Sequence, residues 1–283
     1  MIIDRAAAYN GAANYWGAEN VNLELSGKRA LVTGSTLGIG RAIAADLLRE
    51  GAAVIINGRD ASRLADAINE LSPLGNVTGV AADLAGADGA KELLDQIASP
   101  IDILVNNVGV FTVKPFFEIS DDEWCDMFQL NVMSGVRLAR ACMPAMLDRD
   151  WGRIVFIGSD QSEKPNPVMA HYAMTKTAQV SVARSLAELT AGTGVTVNTV
   201  LAAPTWTDGV EAFMKQMAEI EETTPEAMSL DYFSNGEGRT SLLQRWAEPH
   251  EIASFVAFLC SPKASATNGA ALRADGGMVR ALF

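Results

Sequence analysis

The sequence predicts a single α/β domain on a doubly wound parallel sheet, with helices on both faces in three α/β/α layers. Three observations predict it. Short, nearly continuous runs of Val, Ile, Leu and Ala alternate with amphipathic helical stretches from residue 28 onward, the pattern of strands buried on both faces. The first such run leads directly into a glycine-rich turn and then a helix. The chain has 283 residues, 49% of them hydrophobic, which suffices for one core of this kind.

The elements follow in order. Residues 28–33 (KRALVT) read as the first strand, 34–40 (GSTLGIG) as the turn, and 41–50 as a helix stopped by Gly51. Residues 53–56 are the second strand, ending in Asn57, Gly58 and Arg59, and 61–71 are helical. A third strand, 77–82, ends at Asp83, and a third helix covers 91–98. The fourth strand, 101–105, leads into Asn106, Asn107, Val108 and Gly109. A long helical pattern runs over 122–149 with Asn131 inside it, and 153–157 is the next apolar run. The helix that carries Tyr172 extends to about Leu189 and is followed by a buried strand at 195–200. Residues 202–207 leave that strand as a loop, 208–222 are amphipathic, and 223–240 read as a polar segment. An insertion of this length after a strand's C-terminal end, about 205–245, is where such a domain places a substrate lid. A helix over 249–260 and a strand over 269–274 complete the domain, which is expected to span 26–283. Residues 1–25 show neither period and read as a loosely ordered, dispensable extension.

Composition excludes several functions. The formal net charge is −12 without basic clusters, which argues against nucleic acid or anionic membranes as partners. No apolar run has the ~18 residues of a membrane helix. No secretion signal opens the chain, and a cytoplasmic location is expected. Three widely spaced cysteines, Cys125, Cys142 and Cys260, read as buried free thiols. Two histidines without clustered ligands leave no metal site.

Two groups of residues carry chemistry. The strand, glycine turn and helix at 28–50 form a phosphate cradle, in which glycines admit the pyrophosphate and the helix N-terminus supplies free N–H groups. Tyr172 and Lys176 stand four residues apart on one helix face, and Ser159 follows the run 153–157. An ammonium close to a phenol draws its pKa down from ~10 toward the working range, and a serine hydroxyl can hold the oxygen that receives the proton. This is equipment for moving a proton on or off an alcohol or carbonyl oxygen, provided that a hydride cofactor binds beside it.

The ordered set Thr33-Gly34, Gly38-Ile39-Gly40, Asp83, Asn106-Asn107-x-Gly109, Asn131, Ser159, Tyr172 and Lys176 resembles the short-chain dehydrogenase/reductase family, over about residues 25–283. The resemblance implies a Rossmann fold and an oxidoreductase that interconverts a secondary alcohol and a ketone. It implies that Tyr172 is the general acid or base and that Lys176 lowers its pKa and binds the nicotinamide ribose. Ser159 would orient the substrate oxygen, and Asn131 would stabilise a helix break and a water chain to Lys176. The cofactor would meet Gly34, Ser35, Thr36, Gly38, Ile39, Gly40, Arg59, Asp83, Leu84, Asn107, Gly109, Tyr172, Lys176, Pro204, Thr205 and Thr207. Candidate substrates are a 3-oxoacyl thioester and a sugar, polyol or small hydroxy compound, and the expected assembly is a homotetramer. A non-catalytic dinucleotide-binding sensor or scaffold is the alternative. The chain departs from the family at Ala202-Ala203, where Pro-Gly is usual, and at Val108, where alanine is commoner.

NADP(H) is the expected cofactor. An acid at position 58 would hold the ribose diol of NAD and repel a 2′-phosphate. Gly58 removes that repulsion, and Arg59 offers a guanidinium fork to phosphate oxygens, with Ser35 and Thr36 as possible hydroxyl donors. Arg59 as a solvated surface charge is the competing reading.

Overall fold

A computed structural model describes residues 22–282. The seven strands among them are β1 (Arg29–Val32), β2 (Ala53–Gly58), β3 (Val77–Ala81), β4 (Ile103–Asn106), β5 (Gly152–Ser159), β6 (Val195–Ala202) and β7 (Ala271–Ala274). They form one parallel sheet in the order β3-β2-β1-β4-β5-β6-β7. Val32 of β1 pairs with Ile56 on one side and Val105 on the other. Chain order reverses between β1 and β4, and the crevice beyond their C-terminal ends is the place where such sheets bind ligands.

Helices close both faces because the central strands are buried on both sides. One core layer packs α1 (Gly38–Arg49), α2 (Ala61–Leu71) and α9 (Pro249–Leu259) against the sheet through residues such as Ile43, Leu47, Ile56 and Val256. The other packs α3 (Ala87–Asp95), α5 (Ser134–Asp148) and α6 (Ala170–Glu188) through Leu93, Leu138, Met146 and Phe156. Between β6 and α9 stand two further helices, α7 (Asp208–Ile220) and α8 (Pro225–Ser234), in the stretch expected to hold the lid.

The structure departs from the sequence reading in five places. The extension lies largely outside the described residues, but Leu25 is fully buried and Leu23 N–H donates to Glu50 at 3.1 Å, so the packed domain begins before residue 26. Helix α3 starts at Ala87 rather than 91, since Ala90 in its first turn is buried together with Leu93. The helical pattern over 122–149 is two helices, α4 (Asp121–Phe128) and α5, joined by a π-helical turn at Gln129–Met133. The polar segment over 223–240 contains α8, which Thr224 caps by accepting from Ala227 N–H, with Pro225 in its first turn. Finally, Cys125 is exposed, because its face of α4 turns outward, whereas Cys142 and Cys260 are buried and burial pushes both thiols up to about 12. Among the described residues, no helix is long and apolar enough to cross a membrane.

Candidate active site

The C-terminal ends of β1, β4, β5 and β6 open into a cleft of about 540 Å³. It gathers Gly34, Gly38, Ile39, Gly40, Asn107, Gly109, Ser159, Tyr172, Lys176, Pro204, Thr205 and Thr207.

At the cradle end, the glycines are required by close approach. Gly34 has φ +60°, and a Cβ there would lie 2.9 Å from Val108 Cα. A Cβ on Gly40 would lie 2.5 Å from the Gly34 carbonyl oxygen. Asn107 fastens this turn to β4, since its Nδ2 donates to the carbonyls of Thr33 and Gly34, each at 2.9 Å. Helix α1 then begins without a cap from its own N-cap side chain and with no acid in its first turn, so its leading N–H groups beyond Gly38 remain available to an anion. The cradle therefore fits a dinucleotide pyrophosphate. Gly38 N–H already shows this preference, donating to the Asp208 carboxylate at 3.2 Å from the first turn of α7.

Other expected cofactor residues are placed less uniformly. Arg59 is exposed and without an ion pair among the described residues. Asp83 is exposed at the end of β3, where its Oδ1 accepts from Ala85 N–H at 3.0 Å. Leu84 points into the core, so only its backbone is available. Ser35 is corrected: it is fully buried, and its hydroxyl donates to the Val32 carbonyl at 2.6 Å, which leaves no proton for a phosphate. Thr36 stands beside Gly58, where a Cβ would come within 2.6 Å of its Cγ2. Thr205 donates to the Ala203 carbonyl at 2.8 Å, and Thr207 caps α7 by accepting from Val210 N–H at 3.3 Å. Ala202 ends β6 in register with Ala274, and Ala203 N–H donates to the Ala274 carbonyl at 2.8 Å, so the two alanines continue the ladder into the loop.

The chemical end is built on β5 and α6. Ser159 is the last residue of β5, and Tyr172 faces it from the first turn of α6. Lys176 lies one turn on, its ammonium donating to the Ile157 carbonyl at 2.7 Å and lying 5.6 Å from the centroid of the Tyr172 ring. Asn131 stands behind Lys176 in the π-helical turn. Its Nδ2 donates to Val110 O at 2.9 Å and Thr175 Oγ1 at 3.1 Å, and its Oδ1 accepts from Val110 N–H at 2.9 Å. The wider turn turns the Asn131 carbonyl toward α6, where Gln179 Nε2 donates to it at 2.5 Å. Gln179 Oε1 is buried without a partner among the described residues.

Electrostatics correct one expectation. Burial pushes the Tyr172 phenol up to about 12, with the Ser159 hydroxyl pulling the other way and the Asp160 charge adding to the rise. Burial also lowers Lys176, to about 8. The expected fall in the tyrosine pKa does not arise from the protein's own groups, because desolvation acts on both partners and the ammonium is turned to a carbonyl. At neutral pH the tyrosine is a protonated acid.

Aromatic contacts tie α7 to this centre and brace α8. Phe111 makes edge contacts with Tyr172 at 6.2 Å and with Phe213 of α7 at 5.8 Å. Tyr232 of α8 stacks on Trp246 at 4.7 Å, and Trp246 Nε1 donates to Ser229 at 2.6 Å. Two buried residues beside the catalytic set, Asp160 and Gln179, were not singled out from sequence. Gln179 could have been, since it lies three residues beyond Lys176 and so shares the face of α6 that carries it. Asp160 carries no periodic signal; it is simply the residue after Ser159.

A sheet switch point, an uncapped helix behind a glycine turn, and a Ser-Tyr-Lys centre with a supporting Asn define a dinucleotide-dependent oxidoreductase. Residues 28–218 match the family model described as short chain dehydrogenase. The uncharacterised oxidoreductase YvrD of Bacillus subtilis is 47% identical over 264 residues, covering 93% of this chain and all of that protein. The 3-oxoacyl-[acyl-carrier-protein] reductase FabG of Vibrio cholerae is 34% identical over 264 residues, covering 90% of this chain and 99% of that one. L-Sorbose reductase from Gluconobacter frateurii, solved in complex with NADPH and L-sorbose, superimposes with a TM-score of 0.87 at 30% identity, covering 92% of this chain and all of that one. The chain belongs to the short-chain dehydrogenase/reductase family.

Proposed function

We propose that the protein is an NADP(H)-dependent reductase that converts a small polyhydroxylated ketone to the secondary alcohol. The observation that carries this reading is the state of Tyr172, a phenol held protonated on the cleft wall beside Ser159 and Lys176. A protonated acid serves reduction, where the ketone oxygen gains a proton as hydride reaches its carbon.

When bound, the nicotinamide supplies the hydride. The glycine cradle and the N-terminus of α1 would hold the pyrophosphate, and Arg59 would offer its guanidinium to the 2′-phosphate. Ser159 and Tyr172 grip the ketone oxygen, and Tyr172 releases its proton to it. Lys176 stabilises the phenolate left behind and holds the nicotinamide ribose. Asn131 fixes the π-helical turn that closes over Lys176. The lid helices exclude water from the centre.

A sugar-like ketone is favoured by the polar residues of the cleft lining, Asp160, Gln161, Asn166, Tyr232 and Glu237, and by the L-sorbose complex of the structural relative. The apolar wall of Val110, Val113, Phe213 and Met214 favours a second reading, a 3-oxoacyl thioester. NADPH oxidation measured against ketohexoses, simple cyclic ketones and a 3-oxoacyl thioester tests both. NADPH binding with no turnover on any of them would restore the sensor reading.

Cofactor choice gives a separate expectation. Replacing Arg59 and Gly58 together, as Arg59→Leu with Gly58→Asp, should move the preference toward NADH. The crowding at Gly58 means that Thr36→Ser must accompany them, because it removes the Cγ2 that an added Cβ would strike. The ratio of kcat/KM for NADPH over NADH should fall by roughly tenfold to a hundredfold, the worth of one charge-assisted contact. Equal efficiency of the wild type with both cofactors would make Arg59 a solvated surface charge.

The assembly proposed is a homotetramer. On α6, Ala170, Met174 and Ala178 line an apolar groove beside Pro165 and Pro167, a face suited to another copy. Light scattering should give four times the 30.0 kDa chain mass, and a monomer would exclude this assembly.

A further inference from the structure

The Ser159 hydroxyl has one proton, and two acceptors compete for it, the Asp160 carboxylate and the Tyr172 oxygen. Ser159 Oγ donates to Asp160 Oδ1 at 2.9 Å and accepts from Gln161 N–H at 3.2 Å. Asp160 is only 3% exposed, yet it forms part of the cleft wall that also carries Tyr172. A carboxylate only accepts hydrogen bonds, whereas a carboxylic acid has one donor. While Asp160 is ionised, Ser159 therefore keeps only lone pairs for a substrate. A ketone oxygen is also only an acceptor, so the two repel. Once Asp160 is protonated, its O–H donates to Ser159 Oγ, and the serine O–H is released toward the ketone.

We propose that Asp160 is a positioning residue for the reduction: in its protonated form it aims the Ser159 hydroxyl at the ketone oxygen, which then has two donors, Ser159 and Tyr172. The proposal rests on the reading of Ser159 and Tyr172 as the proton-handling pair. No proton leaves Asp160 during turnover; only the order of hydrogen bonds changes.

The surroundings of Asp160 suit this task. Burial is the main cause that raises its pKa, and Asp275 beyond β7 adds to it. Ser159, Gln161 N–H and the Lys164 ammonium oppose the rise, but Lys164 is drawn to the lid, where it meets the Glu237 carboxylate at 3.2 Å and the Glu237 carbonyl at 3.0 Å. Gln161 Nε2 reaches Asp160 Oδ2 at 3.4 Å. Tyr172 of α6 and Tyr232 of α8 both feel the Asp160 charge. Glu163 in the same turn is held by Arg273 of β7. The sign follows: the protonated form persists to higher pH than in an ordinary aspartate, and reduction weakens as pH rises through that raised pKa.

The test is Asp160→Asn, which keeps the shape and gives Ser159 a donor at every pH. With the ketone that the panel identifies, wild-type kcat/KM should decline as pH rises through the Asp160 pKa, by roughly tenfold between plateaus, about one charge-dependent hydrogen bond. The variant should lack that decline and keep the alkaline limb. A merely structural aspartate would shift the whole profile by a constant factor, and identical profile shapes overturn the proposal. A second readout needs no substrate. The wild-type minus Asp160→Asn infrared difference spectrum should keep a protonated carboxylic C=O band at pH values above the ordinary aspartate pKa of ~3.9, and the band should be displaced in Ser159→Ala. Absence of that band also overturns the proposal. If the panel shows no turnover, the proposed function fails while the band still decides whether Asp160 is the donor to Ser159.

Discussion

Tyr172→Phe should lower kcat for ketone reduction by roughly 10²–10⁴-fold, the usual contribution of a positioned general acid. The substitution removes one oxygen and leaves the ring, so the edge contact with Phe111 and the packing of α6 against β5 persist. NADPH affinity, read by fluorescence titration, should stay nearly unchanged, because the cradle at β1 and α1 lies on other elements. The same enzyme should show a steep rise of alcohol oxidation with pH. Oxidation needs the phenolate, and burial has moved Tyr172 up to about 12, so the base form grows as pH climbs toward that value. Reduction needs the phenol and has no such requirement at neutral pH. If the phenylalanine variant kept most of its activity, the proton carrier would be another group, and the cleft offers Asp160 as the next candidate.

How much of this could be read from the sequence depends on whether the feature is local or formed by contact. The strands were legible because parallel strands are apolar on both sides, and the glycine turn because close approach allows only glycine at Gly34 and Gly40. The order of Ser159, Tyr172 and Lys176 was legible because helix spacing fixes which side chains meet. The π-helical turn at Asn131 was not, because one extra residue in a helical turn leaves the apolar pattern over 122–149 almost intact. Helix α8 is not legible although Thr224, Pro225 and Glu226 give it a start signal, since its apolar residues form no single stripe: Phe233 is buried while Leu230 is exposed. The state of Tyr172 was misjudged for a different reason. Sequence shows that an ammonium is four residues away, but not that the ammonium is buried and bonded to Ile157. Ser35 likewise read as a phosphate donor, and only the fold shows its proton committed to Val32.

Lys176→Met should damage both binding and chemistry, and the reason lies in the position of one nitrogen. Lys176 is 5% exposed, and Gly109 leaves the space beside it: a Cβ there would lie 3.6 Å from the ammonium. Methionine keeps the length of the stem and removes an ammonium that burial disfavours, which offsets the loss of its bond to the Ile157 carbonyl. The variant should therefore melt no lower than the wild type, which separates a folding defect from a functional one. If Lys176 holds the nicotinamide ribose as proposed, losing that charge-assisted contact should weaken NADP(H) by roughly tenfold to a hundredfold. The chemical step loses the cation that stabilises the Tyr172 phenolate, which adds about a further hundredfold to the fall in kcat/KM. Burial has lowered this lysine to about 8, so in the wild type the ammonium is lost as pH rises through about 8. NADP(H) binding favours the charged form, so affinity should be highest below that pH and should fall above it. The methionine variant, having no proton to lose, should bind with one weak affinity across the same range. A wild-type affinity that stays flat from pH 7 to 9 would mean that the ammonium stays on the Ile157 carbonyl and does not reach the cofactor.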